Sequence, residues 1–369
     1  MQAPDITTTA VPPPPRSVPP PIAQPPLAGP RPRPRSLQFA LFLAAMAWFV
    51  CARVVADSAS NGIALRFDLS DEQPLLKAVF LLFLVVAGIA VLRAIERRRM
   101  PFRLTLGLPA RATSREEWAT GAAIGWGLAI VSVLPMALAG SLNVQFWTGP
   151  RAFLLFGLSL ATLAVGTLAH ALAIFGYGFQ RLIEATSPTR ASLILVALAA
   201  INAAIIPTPY GTADGTRILV EMLATLLLCL CWHRTHGLWL LWGLHFAWAA
   251  STAVLFGLPI GGDIAFASIV DTRATGPVWL TGGAYGPAAA AISILLLAAA
   301  ISVVVRVTGD YAWNYTHPPI IPGGYDVTVA PPAAHVAMEQ AAAQPVNPAS
   351  LVQILPATPP RTTPDGASE

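Results

Sequence analysis

The sequence predicts an all-α fold, a polytopic transmembrane helical bundle of about eight spans. Of the 369 residues, 55% are hydrophobic and only 11% are charged, a composition too apolar for an ordinary soluble domain. The apolar residues also form repeated runs close to the roughly twenty that a helix needs to cross the hydrocarbon layer. The expected spans are Ser36–Ala56, Leu75–Ile95, Trp118–Leu142, Ala152–Gly178, Ala191–Ile206, Arg217–Trp232, His236–Gly257 and Ala284–Val305.

The placement of the basic residues predicts how this bundle is oriented. If the amino terminus is cytoplasmic, sixteen of the 22 basic residues lie in cytoplasmic segments. The six that fall in outer segments or at span ends are Arg53, Arg66, Lys77, Arg151, Arg217 and Arg273. This asymmetry satisfies the positive-inside rule, so both termini are expected in the cytoplasm of a bacterial-type inner membrane. The net charge of +4 then reflects topology and indicates no binding of nucleic acid.

Two proline-rich tails flank the transmembrane domain, which we place at residues 37–306. Residues 1–36 hold 13 prolines, and residues 307–369 are rich in Ala, Pro, Thr and Val. Such segments bury too little surface to fold, so both are expected to be extended and disordered in the cytoplasm. The first tail is either a docking segment for anionic lipid or an unknown protein, or a solvated tail without a dedicated partner. The first apolar run begins after residue 35, which favours a retained span over a cleaved signal peptide.

Polar side chains inside the predicted spans are few, and each is a candidate for function because polar groups are costly in lipid. His170 lies in the second half of span four, Asn202 in span five and His245 in the middle of span seven. Glu221 follows Arg217 by four residues, which favours a structural ion pair near the outer interface. For His245 the pattern leaves two interpretations open, a functional group or a neutral histidine hydrogen-bonded to a neighbouring helix.

The three cysteines, Cys51, Cys229 and Cys231, all lie within predicted spans, which argues against disulfides. Cys229 and Cys231 are two residues apart on a helix and therefore point to different faces, so they form a poor metal pair. The favoured interpretation of all three is small apolar packing.

Four stretches occur in the same order as in a known family of membrane proteins. They are Leu106–Pro109, Gly176–Leu182, His236–Trp248, and the pair Thr275–Pro277 and Leu280–Pro287. With them, residues 104–305 resemble the CPBP family, the CAAX-protease and bacteriocin-processing (Abi) intramembrane proteases. The resemblance implies a CPBP-like helical fold and a family activity of cleaving prenylated or membrane-embedded peptides.

The resemblance also implies three motifs on three different spans, Glu-Glu-x-x-x-Arg, Phe-x-x-x-His and His-x-x-x-Asn. In such a site a buried glutamate, held with a histidine, activates water as a general base. The histidine and asparagine of the last motif stabilise the oxyanion of the tetrahedral intermediate. Each motif presents its polar groups on one helix face toward a shared cavity.

In the first motif this chain has lost both carboxylates. His170 and Ala171 occupy the two glutamate positions, and Phe175 occupies the arginine position. Histidine is itself able to act as a base near neutral pH. An active endopeptidase that uses His170, Asn202 and His245 as catalytic residues therefore stays open as an alternative.

The second and third motifs keep one matched polar group between them. Asn202 replaces the histidine of the second motif, and the third keeps His245 but has Ala249 in place of asparagine. The loss of one oxyanion donor alone costs about 10²–10³ in rate. Two histidines and an amide are also a weak zinc set, because an amide oxygen is a poor zinc ligand. We therefore expect neither a metal nor a cofactor.

These observations together predict a degenerate CPBP-like protein, a pseudoenzyme that acts as a membrane binding or scaffold protein. Its expected partners are the lipid bilayer and a lipidated or membrane-embedded peptide held in the inherited cavity. Two alternatives remain, the active endopeptidase and a small-molecule transporter. The paired inverted halves with broken helices that are typical of transporters are not evident, although Pro135 is placed to kink span three.

Overall fold

The computed structural model describes residues 34–97, 101–146, 150–205, 215–261, 266–268 and 270–308. The predicted tails lie outside these residues, apart from the short parts that belong to the first and last helices. The elements are α1 (Arg35–Phe67), α2 (Gln73–Glu96), α3 (Phe102–Thr105), α4 (Ser114–Leu138), β1 (Leu142–Phe146), α5 (Pro150–Ala171), α6 (Phe179–Ala185), α7 (Pro188–Ile205), α8 (Gly215–Thr235), α9 (Trp239–Ala250), β2 (Val270–Ala274), α10 (Val278–Thr281) and α11 (Ala291–Val307). Two π-helical segments, Leu172–Gly178 and Ser251–Leu255, continue α5 and α9.

Each of the eight predicted spans overlaps an apolar helix of the described chain, and the number of membrane crossings stays a prediction. Six of these helices are long and apolar enough to cross a membrane, namely Arg35–Phe67, Gln73–Glu96, Ser114–Leu138, Ala152–Ala185, Pro188–Ile205 and Gly215–Thr235. The other two, Trp239–Leu255 and Ala291–Val307, are shorter apolar helices. The prediction of a helical, multi-pass membrane protein is therefore confirmed.

Polar contacts show how the helices alternate between the two ends of the bundle. One end, here called the basic end, brings together the starts of α1, α4, α7 and α9 with the ends of α2, α6, α8 and α11. The contacts that join these termini are Arg181 to Gln38 and Glu96, Arg111 to the Thr235 carbonyl, Ser192 to His233, and Arg234 to the Val305 carbonyl. The helices that begin at the basic end therefore run opposite to those that end there.

The opposite end, here called the hairpin end, carries a small two-stranded sheet that the apolar pattern did not predict. β1 and β2 pair antiparallel, with Leu142 opposite Ala274. Span three was expected to continue to Leu142, but α4 ends at Leu138 and the chain turns at Gly140, whose φ is 67°. The left-handed conformation of Gly140 ends the helix and releases the next residues to pair with β2.

The loop between α3 and α4 packs between the start of α9 and the π segment after α5. Gly107 adopts a φ of 75°, a left-handed conformation that suits glycine. Its carbonyl accepts a hydrogen bond from the Leu238 N–H at 2.9 Å, just before α9. On the other side, a Cβ at Gly176 would overlap the Leu106 carbonyl oxygen. The loop therefore fixes the start of α9 relative to the π segment that follows α5.

Three glycines bring the backbones of α4 and α9 into direct contact. A Cβ at Gly121 would overlap the Leu240 carbonyl oxygen, and a Cβ at Gly125 would overlap that of Leu244. From the other helix, a Cβ at Gly243 would overlap a carbonyl oxygen of α4. Gly121 and Gly125 are four residues apart, the small-xxx-small spacing that lets transmembrane helices approach closely.

We expect Gly125→Ala to lower the free energy of unfolding by about 1–3 kcal/mol, because the added methyl group forces the two backbones apart. Gly127 is the matched control, since it lies on the same helix and an added methyl group there would meet nothing from another helix within 4 Å. Gly127→Ala should leave stability unchanged or raise it by up to about 1 kcal/mol through helix propensity. Unfolding of both purified variants in the same detergent measures the difference, and equal effects would contradict the contact.

Candidate functional site

The first candidate residue, His170, lies at the point where α5 changes its helical geometry. It is the penultimate residue of α5, and the π segment Leu172–Gly178 follows at once. Such π-helical turns are frequent at functional sites. Within this segment Gly178 lies against α1, so close that a Cβ there would be 2.7 Å from the Met46 methyl carbon. Small residues thus allow the region around His170 to pack tightly on α1.

The second candidate, His245, lies on α9 and is held there by contacts on both sides. The glycine contact with α4 fixes one side of α9. On the other side the Trp242 indole N–H donates to the Ala164 carbonyl at 3.2 Å, which ties α9 to α5. Since Trp242 precedes His245 by three residues, both lie on neighbouring parts of the same face. His245 is therefore directed toward α5.

The two histidine rings meet between α5 and α9. Their centroids are 5.5 Å apart and the ring planes are at 75°, an edge-to-face arrangement. Two phenylalanines complete the surroundings of the His170 ring, Phe49 of α1 at 5.9 Å and Phe175 of the π segment at 6.4 Å between centroids. The structure thus places His170 and His245 in contact, while a shared functional site at these positions stays a prediction.

Each ring has one nitrogen that is hidden and one that is not. The Nδ1 atoms of His170 and His245 are buried and lack a hydrogen-bond partner among the described residues. The Nε2 atoms do not belong to this buried set, and both residues keep part of their surface exposed. A buried N–H without a partner is more costly than a buried lone pair. The neutral tautomer with the proton on Nε2 is therefore favoured for both rings, which then present N–H donors.

Asn202, the third residue expected at the site, lies elsewhere. It is an exposed residue of α7, and α7 packs chiefly against α8. The structure therefore brings His170 and His245 together without Asn202. On a helix with apolar residues on all sides, the sequence gives no indication of which face is turned inward, and the family match alone placed Asn202 at the site.

The three apolar residues at positions matched to the expected motifs are packed in the core. Ala171, Phe175 and Ala249 are all buried, with exposed fractions of 0%, 2% and 3%. Phe175 packs against His170 on one side and Phe179 on the other. These matched positions therefore contribute apolar packing and no polar group.

Sequence reasoning missed a buried charge cluster at the basic end. Arg181 is fully buried and its Nη1 donates to Glu96 Oε1 at 2.7 Å, to Gln38 Oε1 at 3.0 Å and to Glu184 Oε2 at 3.0 Å. The Tyr177 ring lies 5.3 Å from the guanidinium carbon. The cluster joins α1, α2 and α6. The residues that these three helices contribute are far apart in the sequence. Only Glu184, three residues from Arg181, has a spacing from which an ion pair could be predicted.

Glu221 contacts Tyr285, a partner that the sequence did not predict, and the expected ion pair with Arg217 stays a prediction. The Tyr285 hydroxyl donates to Glu221 Oε1 at 2.6 Å, and the Arg217 guanidinium lies 4.9 Å from the centre of the Tyr285 ring. Tyr285 lies outside the membrane-spanning helices, and its burial, together with the neighbouring Glu221 carboxylate, raises the pKa of its phenol well above the usual range. The phenol stays protonated and links the start of α8 to the loop before α11.

Comparisons with family models, curated proteins and solved structures give no match to this chain. The chemistry of the site is therefore inferred from the residues of this chain alone. Within the described residues no group of three or more His, Cys, Asp or Glu side chains is placed to hold a metal ion. The pair His170 and His245 offers two neutral N–H donors in an apolar setting, which suits the binding of an acceptor group.

We expect Arg181→Met to lower the free energy of unfolding by about 3–5 kcal/mol, because it leaves the buried Glu96 carboxylate without its cation. The control is Arg190→Met, which removes an exposed arginine from the same end of the bundle. Adding Glu96→Leu to Arg181→Met should recover most of the loss, since it removes the buried carboxylate, whereas Glu184 is exposed enough to be hydrated.

Thermal or denaturant unfolding of the purified variants in one detergent gives these values. Equal losses in the free energy of unfolding for Arg181→Met and Arg190→Met would show that the buried pair does not stabilise this end of the bundle. The same conclusion would follow if the double variant were the least stable of all.

Proposed function

We propose that this chain is a CPBP-like protein of a bacterial-type inner membrane that has lost proteolytic chemistry and works by binding. It is a membrane binding or scaffold protein that recognises a lipidated or membrane-embedded peptide between α5 and α9. The observation that carries the proposal is the edge-to-face contact of His170 and His245, 5.5 Å apart, on the helices that match the first and last family motifs.

The family resemblance is supported by the way its separate stretches contact one another. Leu106–Pro109 lies against Gly176 of the second stretch, and the Gly107 carbonyl accepts a hydrogen bond from Leu238 of the third. In the last stretch Gly282, Gly283 and Gly286 all have positive φ values, which explains why glycine stands at these positions. Residues that resemble a family in sequence thus serve to position α5 and α9 against each other.

The loss of catalysis is supported by what surrounds the two histidines. A hydrolase of this kind needs a base to deprotonate water and donors to hold the oxyanion. The two glutamate positions hold His170 and Ala171, and the position of the last asparagine holds buried Ala249. The two imidazole N–H donors remain. Without a base to activate water, such donors favour binding of a peptide over its hydrolysis.

The proposed orientation places the basic end in the cytoplasm, with all eight apolar helices crossing the membrane. It is supported by the concentration of arginines at that end and by the alternation of helix directions. The hairpin end then faces outward, and both tails extend into the cytoplasm. There the tails are available to anionic lipid or to an unknown protein.

Cysteine-accessibility labelling in sealed membranes tests this orientation. Cysteines introduced at Asp68 and Asp271 should react with an impermeant reagent from outside, and cysteines at Arg98, Arg234 and His335 only after the membrane is opened. The background lacks Cys51, because that thiol is exposed. Labelling of Arg98→Cys from outside would reverse the orientation.

The functional test combines a proteolysis assay with a binding assay on the full-length protein in lipid bilayers. We expect no cleavage of prenylated or membrane-embedded peptides by the wild type. Capture of a photoactivatable lipidated peptide should occur, and His170→Ala and His245→Ala should each weaken it by about tenfold through loss of an N–H donor. His236→Ala, at the basic end and outside the pair, is the control and should bind as the wild type does.

Cleavage by the wild type that both His170→Ala and His245→Ala abolish would replace the binding proposal with an active endopeptidase. Capture that neither substitution weakens would remove the histidine pair from the binding site.

A further inference from the structure

The corner between α2 and α3, at the basic end, is rich in arginine and has one carboxylate. From Arg93 to Arg115 the sequence has seven arginines and a single acidic residue, Glu96. The Glu96 side chain is buried, and its Oε1 is paired with Arg181 Nη1 of α6 at 2.7 Å. The surface of this corner therefore carries a positive charge that no exposed carboxylate of the same segment balances.

Two of these arginines, Arg97 and Arg103, lie on the surface of the described chain. Arg97 directly follows α2 and adopts a left-handed conformation with a φ of 52°, which ends the helix. Arg103 is the second residue of α3, and both side chains are exposed. Within the described part of the chain, no hydrogen bond or ion pair joins either guanidinium to a carboxylate. The helix dipole favours a cation at the end of α2, which accounts for Arg97 but not for Arg103.

A contact between α2 and α3 brings the two exposed arginines to the same corner. The Arg93 guanidinium of α2 lies over the Phe102 ring of α3, with its central carbon 5.5 Å from the ring centre. Arg93 is one helical turn before Arg97, and Phe102 directly precedes Arg103. The last turn of α2 and the first residues of α3 are thus packed against each other where the two free guanidinium groups begin.

Exposed apolar side chains flank the two arginines. Val91 and Ile95, one turn apart on the last part of α2, are 58% and 66% exposed. On α3, Leu104 is 39% exposed directly beside Arg103, and its carbonyl accepts a hydrogen bond from the Gln180 side chain of α6 at 3.4 Å. A charged side chain next to an exposed apolar one is typical of segments that lie at a membrane interface.

We propose that this corner binds an anionic phospholipid. Arg97 and Arg103 hold its phosphate, and Val91, Ile95 and Leu104 line its acyl chains. The planar fork of a guanidinium matches phosphate oxygens in bidentate geometry. Clusters of basic residues directly beyond the end of a transmembrane helix are typical of sites for anionic headgroups.

The order of the residues along α2 also fits a lipid. The exposed apolar side chains of α2 end where the arginines begin, in the same way that acyl chains give way to a headgroup at the bilayer surface. The inference requires only that the basic end lies at a membrane surface. It is independent of the proposed function, because the corner includes neither histidine of the pair.

Native mass spectrometry of the full-length protein tests the site. The protein is equilibrated with equal amounts of phosphatidylglycerol and phosphatidylcholine that carry the same acyl chains. We expect the wild type to retain phosphatidylglycerol over phosphatidylcholine by about tenfold, and the double variant Arg97→Gln, Arg103→Gln by less than about twofold. Each arginine near a membrane surface contributes about fivefold to the binding of an anionic lipid.

The matched control is the double variant Arg115→Gln, Arg190→Gln. It removes two exposed arginines from the starts of α4 and α7 at the same end of the bundle. Both double variants lower the net charge equally and keep the same tails, so the control should retain the wild-type preference. All four side chains are exposed, and unfolding in one detergent should show equal stability for the two double variants.

The comparison of the two double variants decides the inference. Loss of the preference in the Arg97 and Arg103 variant alone supports the site. An equal loss in both variants overturns it, because the lipid then responds to the total charge of the basic end. A wild-type preference near one also overturns it. Millimolar inorganic phosphate should leave the preference unchanged, and its abolition by phosphate would overturn the assignment of a lipid, since the corner would then bind a free anion.

Discussion

The contact of α4 with α9 through Gly121, Gly125 and Gly243 is the constraint on which the rest of the bundle depends. In a bilayer the lipid tails are as apolar as the side chains, so helices associate through close van der Waals packing. At each of the three glycines, a Cβ would overlap a backbone carbonyl oxygen of the other helix. With α9 fixed on α4, Trp242 reaches α5 and His245 meets His170. A looser contact would separate the two histidines.

The fold could be predicted from the sequence as far as it depends on the period and length of apolar runs. Each predicted span overlaps an apolar helix, and six of these helices are long enough to cross a membrane. Roughly twenty apolar residues between arginine-rich segments have few alternatives in lipid. The small sheet could not be predicted, since its two short strands, Leu142–Phe146 and Val270–Ala274, are far apart in the chain. The buried Arg181 cluster could not be predicted for the same reason, because only helix packing brings Gln38 and Glu96 to Arg181.

Only part of the candidate site could be predicted, and there is a physical reason why some residues were placed correctly and others were not. His170 and His245 stood out because imidazoles are rare within apolar spans, and a motif resemblance linked their two helices. Asn202 stood out in the same way, yet it is exposed on α7. Only the packing of Phe49 on His170 reveals that this part of α1 lies beside the histidine pair.

The environment of the pair decides which chemistry remains available to it. Ala171, Phe175 and Ala249 surround the matched positions with hydrocarbon, and hydrocarbon disfavours a charged imidazole. A neutral imidazole without a carboxylate to orient it and to stabilise its protonated form is a weak general base. It remains a good hydrogen-bond donor in a medium of low dielectric, where such a bond is stronger than in water. His170 and His245 therefore remain a pair of hydrogen-bond donors in apolar surroundings, and an acceptor group is what they suit.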